Sequence, residues 1–158
     1  MSSIPKQNAA TSYILIVEDN PQSAELLQAY LEPLETDVRV AVDGIDAMRC
    51  IEEQVPDIIL LDIMMPRMSG FEVCRKVKSN SKTRDAAVLM ITALNETGDI
   101  ERAINCGADD FLNKPINKLE VLIRVKSLLK VRHLKSELER TLSYLSEIEK
   151  NDTQQSEE

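Results

Sequence analysis

Cysteine is scarce in this sequence, and its placement argues against two kinds of stabilisation. The 158 residues include three cysteines, Cys50, Cys74 and Cys106, which are odd in number, far apart and without a CxxC pair. A disulfide framework needs paired cysteines and a zinc site needs closely spaced ligands, so neither is expected. The cysteines fall in helical apolar stripes, which indicates buried core positions in a protein of a reducing cytosol.

Long apolar runs and an excess of basic residues are also missing. No run approaches the roughly 18 apolar residues of a membrane span, and the opening MSSIPKQNAATS lacks the apolar core of a secretory signal. Lys and Arg number 19 against 27 Asp and Glu, which gives a net charge of -8. This charge disfavours nucleic acid and anionic membranes as partners, because both attract clustered cations. We therefore expect a cytoplasmic protein that binds neither.

Short apolar segments alternate with segments of helical spacing along most of the chain. With 43% apolar residues, the sequence can bury the core of one domain. The predicted strands are Tyr13–Val17, the alternating Val38, Val40 and Val42, Ile58–Leu61, Val88–Ile91 and Asp110–Leu112. Helices are predicted between them, the fourth around Ile100 to Ile104 after a loop with Gly98. This alternation predicts an α/β fold, a doubly wound five-stranded parallel sheet covered on both faces.

The last predicted helix continues beyond the point where such a domain should end. From Lys118 a helical pattern runs without Gly or Pro to about Lys150. Its second half repeats at spacings of three and four, the pattern of a coiled-coil seam, at Val131, Leu134, Leu138, Thr141, Leu145 and Ile148. The seam spans fewer than three heptads, and the flanking Lys135, Glu137, Leu142 and Tyr144 do not specify an orientation. We expect this extension to pair with another helix; the alternative is a solvated helix cut off from a domain that the chain lacks.

These patterns divide the chain into four parts. We predict a disordered segment at 1–12, the α/β domain at 13–130, a helical extension with a short coiled coil at 131–150, and a disordered tail at 151–158. No further domain that binds DNA or catalyses a reaction fits after residue 130, so the chain is either a domain on its own or a fragment of a longer protein.

Polar residues stand at the carboxyl ends of four predicted strands. They are Glu18, Asp19, Asp62, Thr92 and Lys114. Ligands of an open parallel sheet bind beyond these ends. Each residue alone has an ordinary explanation, such as a turn cap or a solvated charge, but three close carboxylates repel unless a cation or proton compensates. Oxygen ligands without His or Cys select a hard cation, so we expect Mg²⁺, with Mn²⁺ fitting nearly as well.

Four motifs resemble the receiver domain of two-component response regulators. They are Ile16–Asn20 (IVEDN), Leu61–Gly70 (LDIMMPRMSG), Ile91–Ala93 (ITA) and Gly107–Pro115 (GADDFLNKP). The resemblance covers about residues 13–130, with the motifs in the right order and strand context. It implies a flavodoxin-like fold with strand order 2-1-3-4-5, the extended C-terminal helix being additional. It also implies a cis Lys114-Pro115 peptide bond.

The resemblance further implies which residue accepts a phosphoryl group and which bind the metal. Asp62 would be the phosphoacceptor, attacking the phosphohistidine of a sensor histidine kinase or a histidine phosphotransfer protein. Asp19, Asp62 and the backbone carbonyl of Met64 would bind Mg²⁺ directly, and Glu18 largely through water. The protein would catalyse only its own phosphorylation and dephosphorylation, and would otherwise not be an enzyme.

Three more residues gain a role from the same resemblance. Lys114 would contact the phosphoryl oxygens, and the Thr92 hydroxyl would hydrogen-bond the phosphoryl group. Phe111 matches the family's switch aromatic, which rotates inward as Thr92 moves. The alternative for Phe111 is simple core packing.

The expected function is a phosphorylation-controlled switch. Phosphorylation would shift the face built from the predicted fourth helix, the fifth strand and the last helix, and would thereby change an effector surface or a homodimer formed through the C-terminal helix. Two alternatives remain open. One is a phosphorelay intermediate that passes its phosphoryl group to a histidine phosphotransfer protein, and the other is a non-phosphorylated coiled-coil adaptor.

Overall fold

A computed structural model describes residues 11–93, 101–102 and 104–156 of the chain. The helices and strands that are described from end to end are β1 (Tyr13–Val17), α1 (Pro21–Leu31), β2 (Asp37–Ala41), α2 (Gly44–Glu53), β3 (Ile58–Asp62), α3 (Gly70–Ser79), β4 (Ala87–Thr92), β5 (Asp110–Asn113) and α4 (Lys118–Gln155). None of the helices in these described ranges has a stretch long and apolar enough to cross a membrane.

The five strands form one parallel sheet in the order β2-β1-β3-β4-β5. This confirms the predicted fold class and strand order. In register, Val17 pairs with Leu61, Asp62 with Ile91, and Thr92 with Asn113. The carboxyl ends of β1, β3, β4 and β5 therefore stand at one edge of the sheet.

Successive residues of the central strands pack against opposite layers of helices. In β1, Leu15 and Val17 join a buried cluster with α2 and α3, and Ile14 and Ile16 join a second cluster with α1 and α4. A strand buried on both faces has to be apolar at every position, which is why β1 reads as a continuous apolar run. The sheet is thus the middle layer of a doubly wound sandwich.

Helix α4 is longer than the sequence predicts. It ends at Gln155, so the predicted end near Lys150 and the predicted disorder of residues 151–155 are wrong. This stretch holds neither Gly nor Pro and keeps its helical hydrogen bonds. The Thr153 hydroxyl donates to the Glu149 carbonyl at 2.9 Å, and the Ser156 N–H donates to the Asp152 carbonyl at 3.2 Å.

Two predicted segments fall partly or wholly outside the described residues. Of the predicted disordered segment 1–12, residues 1–10 lie outside, and Ser12 accepts the Asp37 N–H at 2.8 Å through its carbonyl. Of the predicted helix around Ile100 to Ile104, residues 101, 102, 104 and 105 are helical. Ile100 and the preceding loop with Gly98 lie outside.

The first half of α4 is fixed to the domain by packing and by ion pairs. Val121 and Val125 are fully buried under the sheet. At the opposite edge of the sheet from Asp62, Arg132 pairs with Asp57 at 3.4 Å and donates to the Asp85 carbonyl at 2.9 Å. Lys135 pairs with the Asp85 carboxylate at 2.6 Å. Beyond residue 136, every residue of the helix is exposed.

Candidate functional site

The structure brings the predicted carboxylates together at the carboxyl edge of the sheet. Glu18 and Asp19 directly follow β1, and Asp62 is the last residue of β3. One carboxylate oxygen from each of the three lies within 4.8 Å of the others. Glu18 and Asp62 are each 3% exposed, whereas Asp19 is exposed. The cluster is therefore a buried acidic pair that opens to solvent beside Asp19.

Asp62 is held at both carboxylate oxygens. Its Oδ1 accepts the Met64 N–H at 3.1 Å, and its Oδ2 accepts from the Lys114 ammonium at 3.1 Å. Lys114 is placed by the sheet, since its backbone N–H donates to the Thr92 carbonyl at 2.8 Å. The next bond, Lys114-Pro115, is cis as expected. The positive charge of Lys114 thus lies directly against the predicted phosphoacceptor.

Only one of the two carboxylate oxygens of Glu18 accepts a hydrogen bond from a described group. Its Oε1 accepts the Asn20 N–H at 3.1 Å, whereas Oε2 is buried without a hydrogen bond from any described group. Burial, assisted by the neighbouring Asp62 carboxylate, raises the pKa of Glu18 from 4.5 to about 7. A buried carboxylate oxygen without a donor needs a proton or a cation, so this site fits a hard divalent cation.

Thr92 and Phe111 occupy different surroundings. Thr92 ends β4 beside the end of β3 and is 5% exposed. Phe111 lies on β5 and is half-buried against the cluster formed with α2 and α3. The Met64 side chain is largely exposed. Glu18, Asp19, Asp62 and Lys114 thus form the compact site, with Thr92 at the adjoining strand end and Phe111 on the outer strand.

Gly70 packs against the backbone of Asp62, a contact that the sequence motif alone does not indicate. A Cβ atom on residue 70 would overlap the carbonyl oxygen of Asp62 and lie 2.8 Å from the Ile63 Cα. The Gly70 N–H donates to the Ile63 carbonyl at 3.1 Å, which closes the loop. The sequence offers one sign of this contact, which is a glycine directly after a residue that caps a helix. Ser69 caps α3, since its side chain accepts the Glu72 N–H.

The curated relatives match this chain in one domain only, and they are longer than the chain. Residues 14–126 match the family model described as the response regulator receiver domain. Response regulator PleD of Caulobacter vibrioides is 43% identical over 125 residues, which are 79% of this chain and 28% of PleD. The DNA-binding dual master transcriptional regulator RpaA of Synechocystis is 41% identical over 117 residues, 74% of this chain and 48% of RpaA. The chain thus spans half the length of these relatives or less.

Solved structures of receiver domains have the same fold as this chain. A receiver domain of a Syntrophus aciditrophicus histidine kinase is 37% identical, with a TM-score of 0.72 over 76% of this chain and 91% of that one. The receiver domain of a Pseudomonas aeruginosa sensor histidine kinase is 31% identical, with a TM-score of 0.70 over 77% and 99%. That structure has a magnesium ion in its active site cleft. With the sheet order and the family match, these likenesses show that the chain belongs to the response regulator receiver domain family.

Proposed function

We propose that this chain is the phosphoacceptor receiver of a two-component system and that Asp62 accepts the phosphoryl group. The donor is a phosphohistidine of a sensor histidine kinase or of a histidine phosphotransfer protein. An O–P bond forms to the Asp62 carboxylate as the N–P bond breaks, and the histidine nitrogen takes the electron pair. The observation that carries this proposal is the buried Asp62 carboxylate lying 3.1 Å from Lys114 and among two further carboxylates.

The surrounding residues supply position and charge, because a carboxylate is a weak nucleophile. The Met64 N–H fixes the orientation of the Asp62 carboxylate, and Lys114 neutralises the incoming phosphoryl oxygens. The Thr92 hydroxyl donates a hydrogen bond to the phosphoryl group. Mg²⁺, or Mn²⁺ in its place, supplies further positive charge to the phosphoryl oxygens when bound.

The residues that hold this cation are those of the acidic cluster. Asp19, Asp62 and the backbone carbonyl of Met64 would bind it directly, and Glu18 would bind it largely through water. The unsatisfied Glu18 oxygen and the grouping of the three carboxylates support this assignment. The magnesium ion in the related Pseudomonas aeruginosa receiver supports it from outside the chain.

Phosphorylation switches a surface and does not start a turnover reaction. We propose that Thr92 and Phe111 transmit the phosphoryl charge to the face of β5 and α4, which changes an effector surface or a homodimer through α4. Apart from its own phosphorylation and dephosphorylation the chain is not an enzyme, and it works in the cytoplasm. A small tilt or displacement of α4 is sufficient for this change, because phosphorylation shifts an existing equilibrium between conformations of similar energy.

Intact-mass spectrometry after incubation with acetyl phosphate and Mg²⁺ tests the proposal. We expect one phosphoryl adduct, lost when Mg²⁺ is withheld and absent from Asp62→Asn, which keeps the shape of the side chain. The control is Asp85→Asn, at the opposite edge of the sheet, which should keep the adduct. Failure of the wild type to form an adduct and to bind beryllofluoride would contradict the proposal and favour a non-phosphorylated adaptor.

A further inference from the structure

The projecting half of α4 has an apolar face directed away from the receiver domain. Leu134, Leu138 and Leu145 are 55%, 58% and 50% exposed. The buried Val125 lies nine residues before Leu134, and at about 100° per residue these two side chains point in opposite directions. A second helix can therefore lie along Leu134, Leu138 and Leu145 without meeting the domain on which α4 packs, whereas Val131, at the start of the seam, lines a groove with Arg84 and Asp85 of the domain.

The charge of α4 changes sign along its length. Residues 118–135 include one acidic residue, Glu120, and six basic residues, Lys118, Arg124, Lys126, Lys130, Arg132 and Lys135. Residues 136–155 include two basic residues, Arg140 and Lys150, and five acidic residues, Glu137, Glu139, Glu147, Glu149 and Asp152. Two such helices side by side repel when parallel, because like halves meet, and attract when antiparallel.

We propose that α4 of a second copy covers this face, running antiparallel, with the twofold axis between Glu139 and Arg140. The seam is symmetric about this point. Val131 of one copy then faces Ile148 of the other, Leu134 faces Leu145, and Leu138 faces Thr141, in layers that repeat on both sides of the axis. Each seam residue thus meets an apolar side chain or a threonine methyl group.

The same register brings the acidic half of one helix level with the basic half of the other. The acidic stretch 147–152 of one copy lies level with residues 127–132 of the other, which include Lys130. A parallel pair would instead set Asp152 against Asp152 in the continued seam and Lys130 beside Lys135 of the second copy. Charge complementarity therefore selects the orientation that the flanking positions of the heptads alone do not specify.

Disulfide cross-linking distinguishes the two orientations. Leu134→Cys and Leu145→Cys, one of them carrying a mass tag, are oxidised separately and as a mixture under native conditions, where Cys50, Cys74 and Cys106 are buried. In the antiparallel register the two copies of position 134 are separated by about 16 Å along the axis, too far for a disulfide. We expect the mixed disulfide in high yield and neither homodisulfide. Lys150→Cys, off the seam, is the control that should not cross-link with itself.

This inference specifies the self-association included in the proposed function and therefore rests on it for its role in signalling. The cross-linking uses no phosphoryl donor, so failure of pairing and failure of Asp62 phosphorylation appear in separate experiments. Homodisulfides of each variant alone would show a parallel pair and overturn the inference, as would a wild-type dimer without the mixed disulfide. Sedimentation equilibrium that finds only monomer at every concentration would also overturn it, leaving the helix of a different protein as the occupant.

Discussion

At the scale of single residues, the Glu18 side chain should take up either a proton or the charge of a nearby cation. In the absence of a cation its pKa of about 7 means that folding favours the protonated side chain. Because this pKa is raised from 4.5, the contribution of Glu18 to stability is present at low pH and is lost as the pH rises through about 7. Ionisation leaves a buried charge beside Asp62, which the proposed cation would offset.

Mg²⁺ should therefore compete with a proton at Glu18. We expect the affinity for Mg²⁺ to rise by up to about tenfold per pH unit below about pH 7 and to level off above it. The rise in melting temperature on adding Mg²⁺, followed by circular dichroism at about pH 6 and about pH 8, measures this. The increase should be larger at the higher pH.

Two variants separate the titration of Glu18 from the loss of a ligand. Glu18→Gln cannot ionise and should remove the pH dependence of the Mg²⁺ effect. Asp19→Asn, a change at the exposed carboxylate, should weaken Mg²⁺ binding while keeping the pH dependence. A pH dependence that persists unchanged in Glu18→Gln would show that another group competes with the cation.

The position of the site residues was predictable, and their electrostatics were not. Asp62 ends a strand that is otherwise apolar, Lys114 directly follows the short strand β5, and parallel strands bring such residues to one edge of the sheet. The raised pKa of Glu18 depends on burial and on an oxygen without a donor, which are properties of three-dimensional packing. No sequence pattern reports them.

At the scale of elements, the start of α3 fixes the end of β3. Gly70→Ala should destabilise the protein by about 1–3 kcal/mol, because the added methyl group meets the backbone of Asp62 and Ile63 and not a flexible side chain. Displacement of Asp62 should also slow phosphorylation by acetyl phosphate. Urea denaturation and the rate of adduct formation measure the two effects.

Ser69→Ala is the matched control for this prediction. It removes the hydroxyl that caps α3, where Ser69 Oγ accepts the Glu72 N–H at 3.4 Å, and should cost about 1 kcal/mol. The backbone beside Asp62 is left in place, so phosphorylation should continue at the wild-type rate. A Gly70→Ala protein that is as stable and as quickly phosphorylated as the wild type would contradict the positioning role.

Some elements were easier to predict than others. The bounds of β1 agree at both ends, because a fully buried strand is apolar throughout and polar residues stop it. Helix α4 was predicted too short because Asn151 to Gln155 are polar and resemble a disordered tail in composition. A helix that is solvated on all sides shows no apolar period to mark its end.

At the scale of the whole molecule, phosphorylation should change the strength of self-association. Beryllofluoride with Mg²⁺ mimics the phosphoryl group, and we expect it to shift the dimer dissociation constant measured by light scattering over a wide concentration range. Asp62→Asn treated in the same way should keep the dissociation constant of the untreated protein. Identical masses for treated and untreated wild type at every concentration would show that the output does not pass through dimerisation.

Helix α4 is fixed to the domain in its first half and free beyond it, so a tilt of the fixed half moves the free end the furthest. At about 1.5 Å per residue, the roughly twenty residues after Lys135 extend about 30 Å, so a tilt of about 5° at the anchor moves the far end by about 3 Å. The anchoring aspartates, Asp57 and Asp85, stand just before β3 and β4. The opposite ends of these strands hold Asp62 and Thr92. Strands β3 and β4 thus connect the candidate site to the anchor of α4, so even a sub-ångström displacement of either strand would become a displacement of several ångströms at the free end of the helix.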